Sequence, residues 1–349
     1  MLASIPAAPT RLINLGSHIG NKYRVVSCLG RGGMGEVVLA RDLVTSGTVA
    51  IKVLATRATN AHTIARFLRE AQVMLRLESE HVATVHDLGT LDSGLPYFVM
   101  EHLRGLDLAT FIASFGPLSV PEAVTSILHA ANALEEAHAM GIVHRDLKPQ
   151  NLFLTQREDA RWFVKVLDFG VSKIPVDEEA ESLTGTADVF GTPAYMSPEQ
   201  TRSAKLVDVR TDIWALGLIL AECLSGLTVF EDKHPLAVLT AVAGGAPSKL
   251  HLGWRTPPAL KQVIRRCLQK DPADRYQSVA ELTRDLLPFV NHGSLRVASR
   301  LGPLDDYEFV GSEAQTLPQT TVRLSMRAER RPRGWLSRLR RWARAGAST

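Results

Sequence analysis

Between Tyr23 and Glu101 the apolar positions fall in short, β-branched runs. "YRVVSCLG" (23–30) and "EVVLARD" (36–42) flank a glycine-rich turn, and "TVAIKVL" (48–54) is a third run. Runs of this kind, bounded by glycine and turn residues, predict three strands. The period then changes. In "AHTIARFLREAQVMLRL" (61–77) Ile64, Phe67, Leu68, Ala71, Met74 and Leu75 recur at helical spacing and predict one amphipathic helix. Two further strands are expected near "VATVHDLG" (82–89) and "PYFVME" (96–101).

After residue 107 the helical period dominates. "LSVPEAVTSILHAANALEEAHAMG" opens with Ser119 and Glu122 at capping-box spacing and stops at Gly141. "TRSAKLVDVRTDIWALGLILAECLSG" contains an all-round apolar stretch, which reads as a buried helix. "TPPALKQVIRRCLQ" suggests a threonine cap before proline, and "SVAELTRDLLPF" pairs Ser278 with Glu281 as a second capping box. Strands first and helices later predict an α+β protein with two lobes and no internal repeat. From about Asn291 the pattern weakens into a polar stretch, expected to be a disordered linker over 291–334.

Composition adds little to this picture except at the end of the chain. With 349 residues, 45% of them hydrophobic and 22% charged, the sequence is that of a core-forming protein. Its net charge is +4, but residues 323–344 carry nine arginines against Glu329 alone. The tail therefore holds +8 and the remainder −4, so the basic balance says nothing of a basic main domain. In "WLSRLRRWARA", Trp335, Leu336, Leu339, Trp342 and Ala343 share one helical face, with Arg338, Arg340, Arg341 and Arg344 on the other. Two readings of residues 335–349 stand level: a basic amphipathic helix that meets an anionic membrane surface or a protein partner, and a solvated basic end. Nucleic acid is not an expected partner. The longest apolar run, Ile213–Leu224, is shorter than the roughly 20 residues a bilayer needs. Cys28, Cys223 and Cys267 lie far apart without a CxxC pair, which argues against a disulfide framework or zinc site and for a reducing compartment. The N-terminus lacks a signal-peptide pattern, and a cytoplasmic location follows as the expectation, with the tail as a route to the inner membrane face.

The candidate chemistry begins at "GRGGMGEV". Gly30, Gly32 and Gly35 fit GxGxxG, a spacing that lets backbone N–H groups approach phosphate. A glycine-rich hairpin turn fits equally, while a dinucleotide loop is disfavoured because a strand-like run follows. Lys52 sits inside the apolar strand "VAIKVL", where an unpaired ammonium is costly. Either it snorkels to solvent at an edge or it serves a phosphate and a carboxylate, and Glu70 on the following helix is the natural partner. "HRDLKPQN" (144–151) places a carboxylate, a cation and an amide at Asp146, Lys148 and Asn151. Asp212, inside an apolar helix, also needs partners.

These motifs, followed by "DFG" (168–170), "GTPAYMSPE" (191–199), "DIWALG" (212–217) and Arg275, stand in the order seen in the eukaryotic-type protein kinases. Over about residues 23–290 the chain resembles that superfamily, and most closely its bacterial, Hanks-type Ser/Thr members. The resemblance implies a protein-kinase-like bilobal fold: an N-lobe of a five-stranded antiparallel sheet plus one helix, and a mainly helical C-lobe. It implies a kinase domain at 23–290 after an N-terminal extension at 1–22, with ATP and Mg²⁺ as cofactors. Gly30, Gly32 and Gly35 would cover the phosphates, and Lys52, braced by Glu70, would hold them. Val37, Ala50 and Phe153 resemble adenine-sandwiching positions, Met100 the gatekeeper, Glu101, His102 and Leu103 the hinge, and Asp107 the ribose contact. Asp146 would take the acceptor hydroxyl's proton, Lys148 would neutralise the transferred group, and Asn151 and Asp168 would hold Mg²⁺.

Lys148 and Thr192 match the Ser/Thr branch, so protein Ser/Thr hydroxyls are the implied acceptors. His144 and Phe169 resemble a packed spine with Met74 and Leu88, and Glu199 with Arg275 an internal ion pair. Ser197 stands where the family usually has alanine. Thr184 and Thr186 match autophosphorylated positions, which implies self-association for autophosphorylation and a phosphate-binding role for Arg145. Asp177, Glu178, Glu179 and Glu181 nearby would mimic that phosphate in part or repel it. A pseudokinase scaffold or nucleotide-binding signalling module is the alternative, yet it predicts loss of Lys52, Asp146, Asn151 or Asp168, and all four are present. A small-molecule kinase is disfavoured by the full "GTPAYMSPE" segment.

Overall fold

The computed structural model describes residues 13–32, 35–55, 61–156, 162–169, 193–232, 234–244, 247 and 250–290. Thr184, Thr186, Thr192, the acidic run at 177–181 and the linker and tail from 291 onward lie outside these residues.

The chain runs β1 (His18–Ile19), β2 (Tyr23–Gly32), β3 (Gly35–Asp42), β4 (Thr48–Leu54), α1 (Ala61–Arg76), β5 (Val85–Thr90), β6 (Pro96–Glu101), β7 (Gly105–Asp107), α2 (Leu108–Phe115) and α3 (Val120–Ala139). It continues with β8 (Leu152–Gln156), β9 (Trp162–Val166), α4 (Val209–Ser225), α5 (Pro235–Gly244), α6 (Pro258–Cys267) and α7 (Val279–Leu286). The N-terminal strands form an antiparallel sheet in the order β1-β2-β3-β4-β6-β5. It has six strands rather than the five expected. The additional two-residue β1 pairs His18 with Arg24 and buries Ile19, and a run that short carries no alternation to read in the sequence.

One face of the sheet holds α1. The strand and helix periods meet there at Phe67 and Phe98, whose ring centroids are 5.1 Å apart. The helix buries Phe67, Ala71, Val73 and Met74, with Ile64 and Leu68 partly covered. Leu75, expected on the same face, is exposed instead, because burial extends the other way around the helix, to Glu70, Val73 and Leu77. Polar Glu70 breaks the hydrophobic pattern on the face that matters most.

The C-lobe packs α3, α4, α6 and α7 around one core in which Trp214, Leu216 and Ile219 are fully buried. The Ser119–Glu122 capping box forms at the start of α3, and the chain leaves the helix through Gly141 at φ 72°. Ser278 caps α7, but Glu281 returns its bond to the Gln277 N–H rather than to Ser278. Helix α6 begins one residue later than the threonine cap predicts: Pro257 occupies the cap position without a side-chain bond, and Thr256 lies before it. A small β7-β8-β9 sheet joins the lobe, with Phe153 opposite both Asp107 and Lys165. Among the described residues no helix is long and apolar enough to cross a membrane.

Candidate active site

The β2–β3 hairpin pairs Gly30 with Val37 and Gly32 with Gly35, and Gly35 pairs with Leu54 on β4. A Cβ at Gly35 would collide with the Val53 carbonyl, so only glycine lets these strands approach so closely. Lys52, opposite Val37 on β4, is 7% exposed. Its Nζ lies 2.9 Å from Glu70 Oε1 on α1 and 2.9 Å from Asp168 Oδ2 after β9. The cost of burying this charge is met by two carboxylates from two elements. Burial pushes the Glu70 carboxyl up and the neighbouring Asp168 charge adds to this, while Lys52 opposes both. Burial acts the same way on Asp168, but Lys52 outweighs it and holds that carboxyl below the usual range.

Across the cleft, Lys148 is buried, with Nζ 3.5 Å from Asp146 Oδ2. The Asn151 amide donates to the Asp146 carbonyl at 2.8 Å, and its own backbone carbonyl accepts the Leu167 N–H at 2.8 Å, so the 144–151 loop and the Asp168 segment are stitched together. Arg145 (φ 67°) and Asp168 (φ 42°) both occupy left-handed backbone unfavourable for side-chain-bearing residues. Strain of this kind persists where the surroundings over-determine the geometry. The determining group for Arg145 is Asp212. Its buried carboxylate accepts the N–H groups of His144 and Arg145, each at 2.9 Å, and meets His138 Nε2 at 2.8 Å. His144 is fully enclosed, and burial pushes its imidazole pKa down, so it is neutral. In that form Nδ1 accepts the Asp146 N–H and Nε2 faces the Leu167 carbonyl. The ring sits 4.9 Å from that of Phe169.

Elsewhere in the C-lobe, Arg275 donates to Glu199 through both terminal nitrogens, at 2.7 and 2.8 Å, and Thr211 adds a bond at 2.8 Å. Ser197 fits without exposure. Burial alone raises the Glu199 carboxyl, but the Arg275 bonds outweigh it and hold it below the usual range. Its stabilising effect is therefore complete above the ordinary glutamate pKa of about 4.3 and disappears as pH falls through the lowered folded value. Glu199→Gln is expected to lower the urea midpoint near neutral pH, and the deficit should shrink on acidification. A deficit that does not change with pH contradicts this.

At the edge of the sheet where β6 leads out of the N-lobe, Ala50 pairs with Met100, and the Glu101 N–H donates to the Thr84 carbonyl at 2.9 Å. That N–H is committed within the protein. Leu103 packs against the main core. Ala50 and Phe153 are almost wholly enclosed. Asp107 caps α2, accepting the Thr110 N–H at 2.9 Å and its hydroxyl at 2.7 Å, and burial raises its carboxyl. The structure therefore gives Asp107 a capping task that the motif did not reveal. Sequence reading also missed His138, Gln200, whose side chain donates to the Arg145 carbonyl at 2.8 Å, and Lys165. For Lys165 a signal existed: like Lys52, it interrupts an apolar run, "WFVKV".

Comparisons with known proteins identify the family. Residues 23–286 match the protein kinase domain family. Serine/threonine-protein kinase pkn3 of Myxococcus xanthus is 38% identical over 277 residues, covering 78% of this chain and 50% of that protein. PknB of Mycolicibacterium smegmatis is 38% identical over 77% of this chain and 43% of its own length. The chain thus spans about half the length of the curated relatives it matches. A crystal structure of the Mycobacterium tuberculosis PknI kinase domain superposes with a TM-score of 0.62 at 30% identity, covering 80% of this chain and all of that one. The chain belongs to the protein kinase family, within its bacterial, Hanks-type Ser/Thr branch.

Proposed function

We propose that this chain transfers the γ-phosphoryl group of ATP, with Mg²⁺, to serine and threonine hydroxyls of proteins, and that it phosphorylates its own activation loop. The observation that carries this reading is the assembled Lys52–Glu70–Asp168 set facing Asp146, Lys148 and Asn151. A pseudokinase scaffold has no need of it.

The donor set fits a hard divalent cation. Asp168 is an ionised carboxylate, and Asn151, with its amide N–H spent on Asp146, has its side-chain carbonyl as the remaining acceptor. Mg²⁺ held by these two would neutralise charge on the phosphates. Lys52, oriented by Glu70, would donate to the α- and β-phosphates, with Gly30, Gly32 and Gly35 covering them. Val37, Ala50 and Phe153 would enclose the adenine beside Met100, and backbone groups of Glu101, His102 and Leu103 would bind its edge. Asp107 would meet the ribose with the lone pairs Thr110 leaves it. Asp146 would orient the acceptor hydroxyl and accept its proton at a carboxylate oxygen, and Lys148 would offset charge on the moving phosphoryl group. Positioning and charge neutralisation suffice for this reaction.

For the activation loop, Arg145 is the supporting residue. Among the described residues its Nε is buried without a hydrogen-bond partner, as is that of Arg66, one turn before Glu70 on α1. A buried guanidinium nitrogen lacking an acceptor suits an incoming phosphate at Thr184 or Thr186.

The purified chain, given γ-labelled ATP and a generic basic protein, should label both the acceptor and itself, and chelation of Mg²⁺ should abolish this. Absence of label in both ends the proposal. Mass spectrometry should place chain phosphate at Thr184 or Thr186, and phosphate confined to other positions ends the loop reading.

A further inference from the structure

Lys165 lies in the middle of β9 and is 7% exposed. Its Nζ is 2.6 Å from Glu101 Oε1 and donates to the Val82 carbonyl at 3.1 Å. The same Glu101 oxygen accepts the Thr84 N–H at 2.7 Å, and the Glu101 N–H returns to the Thr84 carbonyl. One ammonium and one carboxylate thus join three segments: the α1–β5 loop, the hinge and β9. The backbone reinforces the joint, since Val166 donates to the His81 carbonyl at 2.7 Å and accepts from the Ala83 N–H at 3.1 Å.

A buried ion pair is a poor source of stability compared with apolar packing of the same volume. What it supplies is a fixed geometry. Lys165 stands opposite Phe153 in the β8–β9 ladder and three residues before Asp168. Lys165 Nζ is therefore a direct side-chain link between the hinge and the strand that carries the pocket floor into the Asp168 segment, beside the backbone bonds of Val166.

We infer that Lys165 is a positioning residue for nucleotide binding: through Glu101 it holds the hinge in register with Phe153 and Asp168, so that adenine and phosphates are gripped together. The inference rests on the proposed reading of the hinge and Asp168 as the two ends of an ATP site. Without the Lys165 bond, the Glu101 carboxylate keeps the Thr84 N–H and its backbone keeps Thr84 and Val49, but none of these reaches β9, and the hinge edge drifts relative to the phosphate end.

The test is calorimetric titration of the full chain with MgADP, for wild type, Lys165→Met, Glu101→Gln and the double variant, with melting temperatures recorded in parallel. Lys165→Met should raise Kd roughly 5- to 10-fold, in the range of ordinary site-to-site coupling, and in a kinase assay it should raise KM for ATP more than it lowers kcat. Glu101→Gln should weaken binding too, and the double variant should be no weaker than Lys165→Met, because both changes break one link. If Lys165→Met fails to fold, Glu101→Gln, which keeps the shape of the side chain, carries the test alone. Variants that melt lower but bind MgADP as wild type does, or more tightly, overturn the inference and leave the nucleotide reading intact. A wild-type chain that does not bind MgADP removes both.

Discussion

Asp146→Asn is expected to lower kcat for phosphoryl transfer by roughly 10²- to 10⁴-fold, the usual weight of a positioned general base, while leaving KM for ATP close to wild type. The reasoning is local. Asp146 is held by its backbone: its N–H bonds to neutral His144 and its carbonyl accepts the Asn151 amide. Neither bond uses the carboxylate, so the loop should keep its shape when the carboxylate becomes an amide. What disappears is the ability to accept a proton from the acceptor hydroxyl, together with the charge 3.5 Å from Lys148. In the proposed reading, nucleotide binding falls to other residues: Lys52, Glu70 and Asp168. Steady-state kinetics with a peptide acceptor separates the two. A large rise in KM for ATP with little change in kcat would assign Asp146 to binding and remove it from the chemistry.

The second large effect is on stability. Arg275→Met should destabilise the folded chain by about 3–5 kcal/mol, because it leaves the buried Glu199 carboxylate without its cation. Arg275 is 1% exposed and also donates to the carbonyls of Gln269 and Arg210, so one truncation orphans groups from three segments. Its guanidinium lies 5.0 Å from the Trp214 ring, a further contact that methionine replaces only in part. Urea unfolding should show the loss as a lowered midpoint with little change in slope. The double variant Arg275→Met, Glu199→Gln should recover part of it, since neither charge then remains buried alone. Equal stability of Arg275→Met and wild type would deny the ion pair its structural role.

Much of the site is legible in the sequence because buried charge is expensive. Lys52 interrupts an apolar run and Asp212 opens a buried helix, and each proves to have partners: two carboxylates for the first, two backbone N–H groups and His138 for the second. Lys165 carries the same signal in "WFVKV", but a five-residue run is too short to show a strand period, so its charge is less conspicuous. The small β7-β8-β9 sheet pairs segments about 50 residues apart, and three- to five-residue strands give too short a pattern to recognise. Leu75 and Val73 show the same limit on α1: periodicity identifies the helix, while the neighbouring elements decide how far burial extends around it. The left-handed backbone at Arg145 and Asp168 has no local signature either. It is imposed by partners such as Asp212, 67 residues from Arg145. The cap that Asp107 makes to Thr110 is a local contact, three residues on, yet the motif that singled Asp107 out gave no sign of it.

The central claim is that the assembled carboxylates, lysines and amide perform phosphoryl transfer to hydroxyls of serine and threonine. Phosphoamino-acid analysis of an acceptor protein labelled by the wild-type chain and by Asp146→Asn tests it most directly. The account predicts phosphoserine and phosphothreonine from the wild type and almost none from the variant. Equal labelling by both proteins, or label carried on tyrosine, would contradict it.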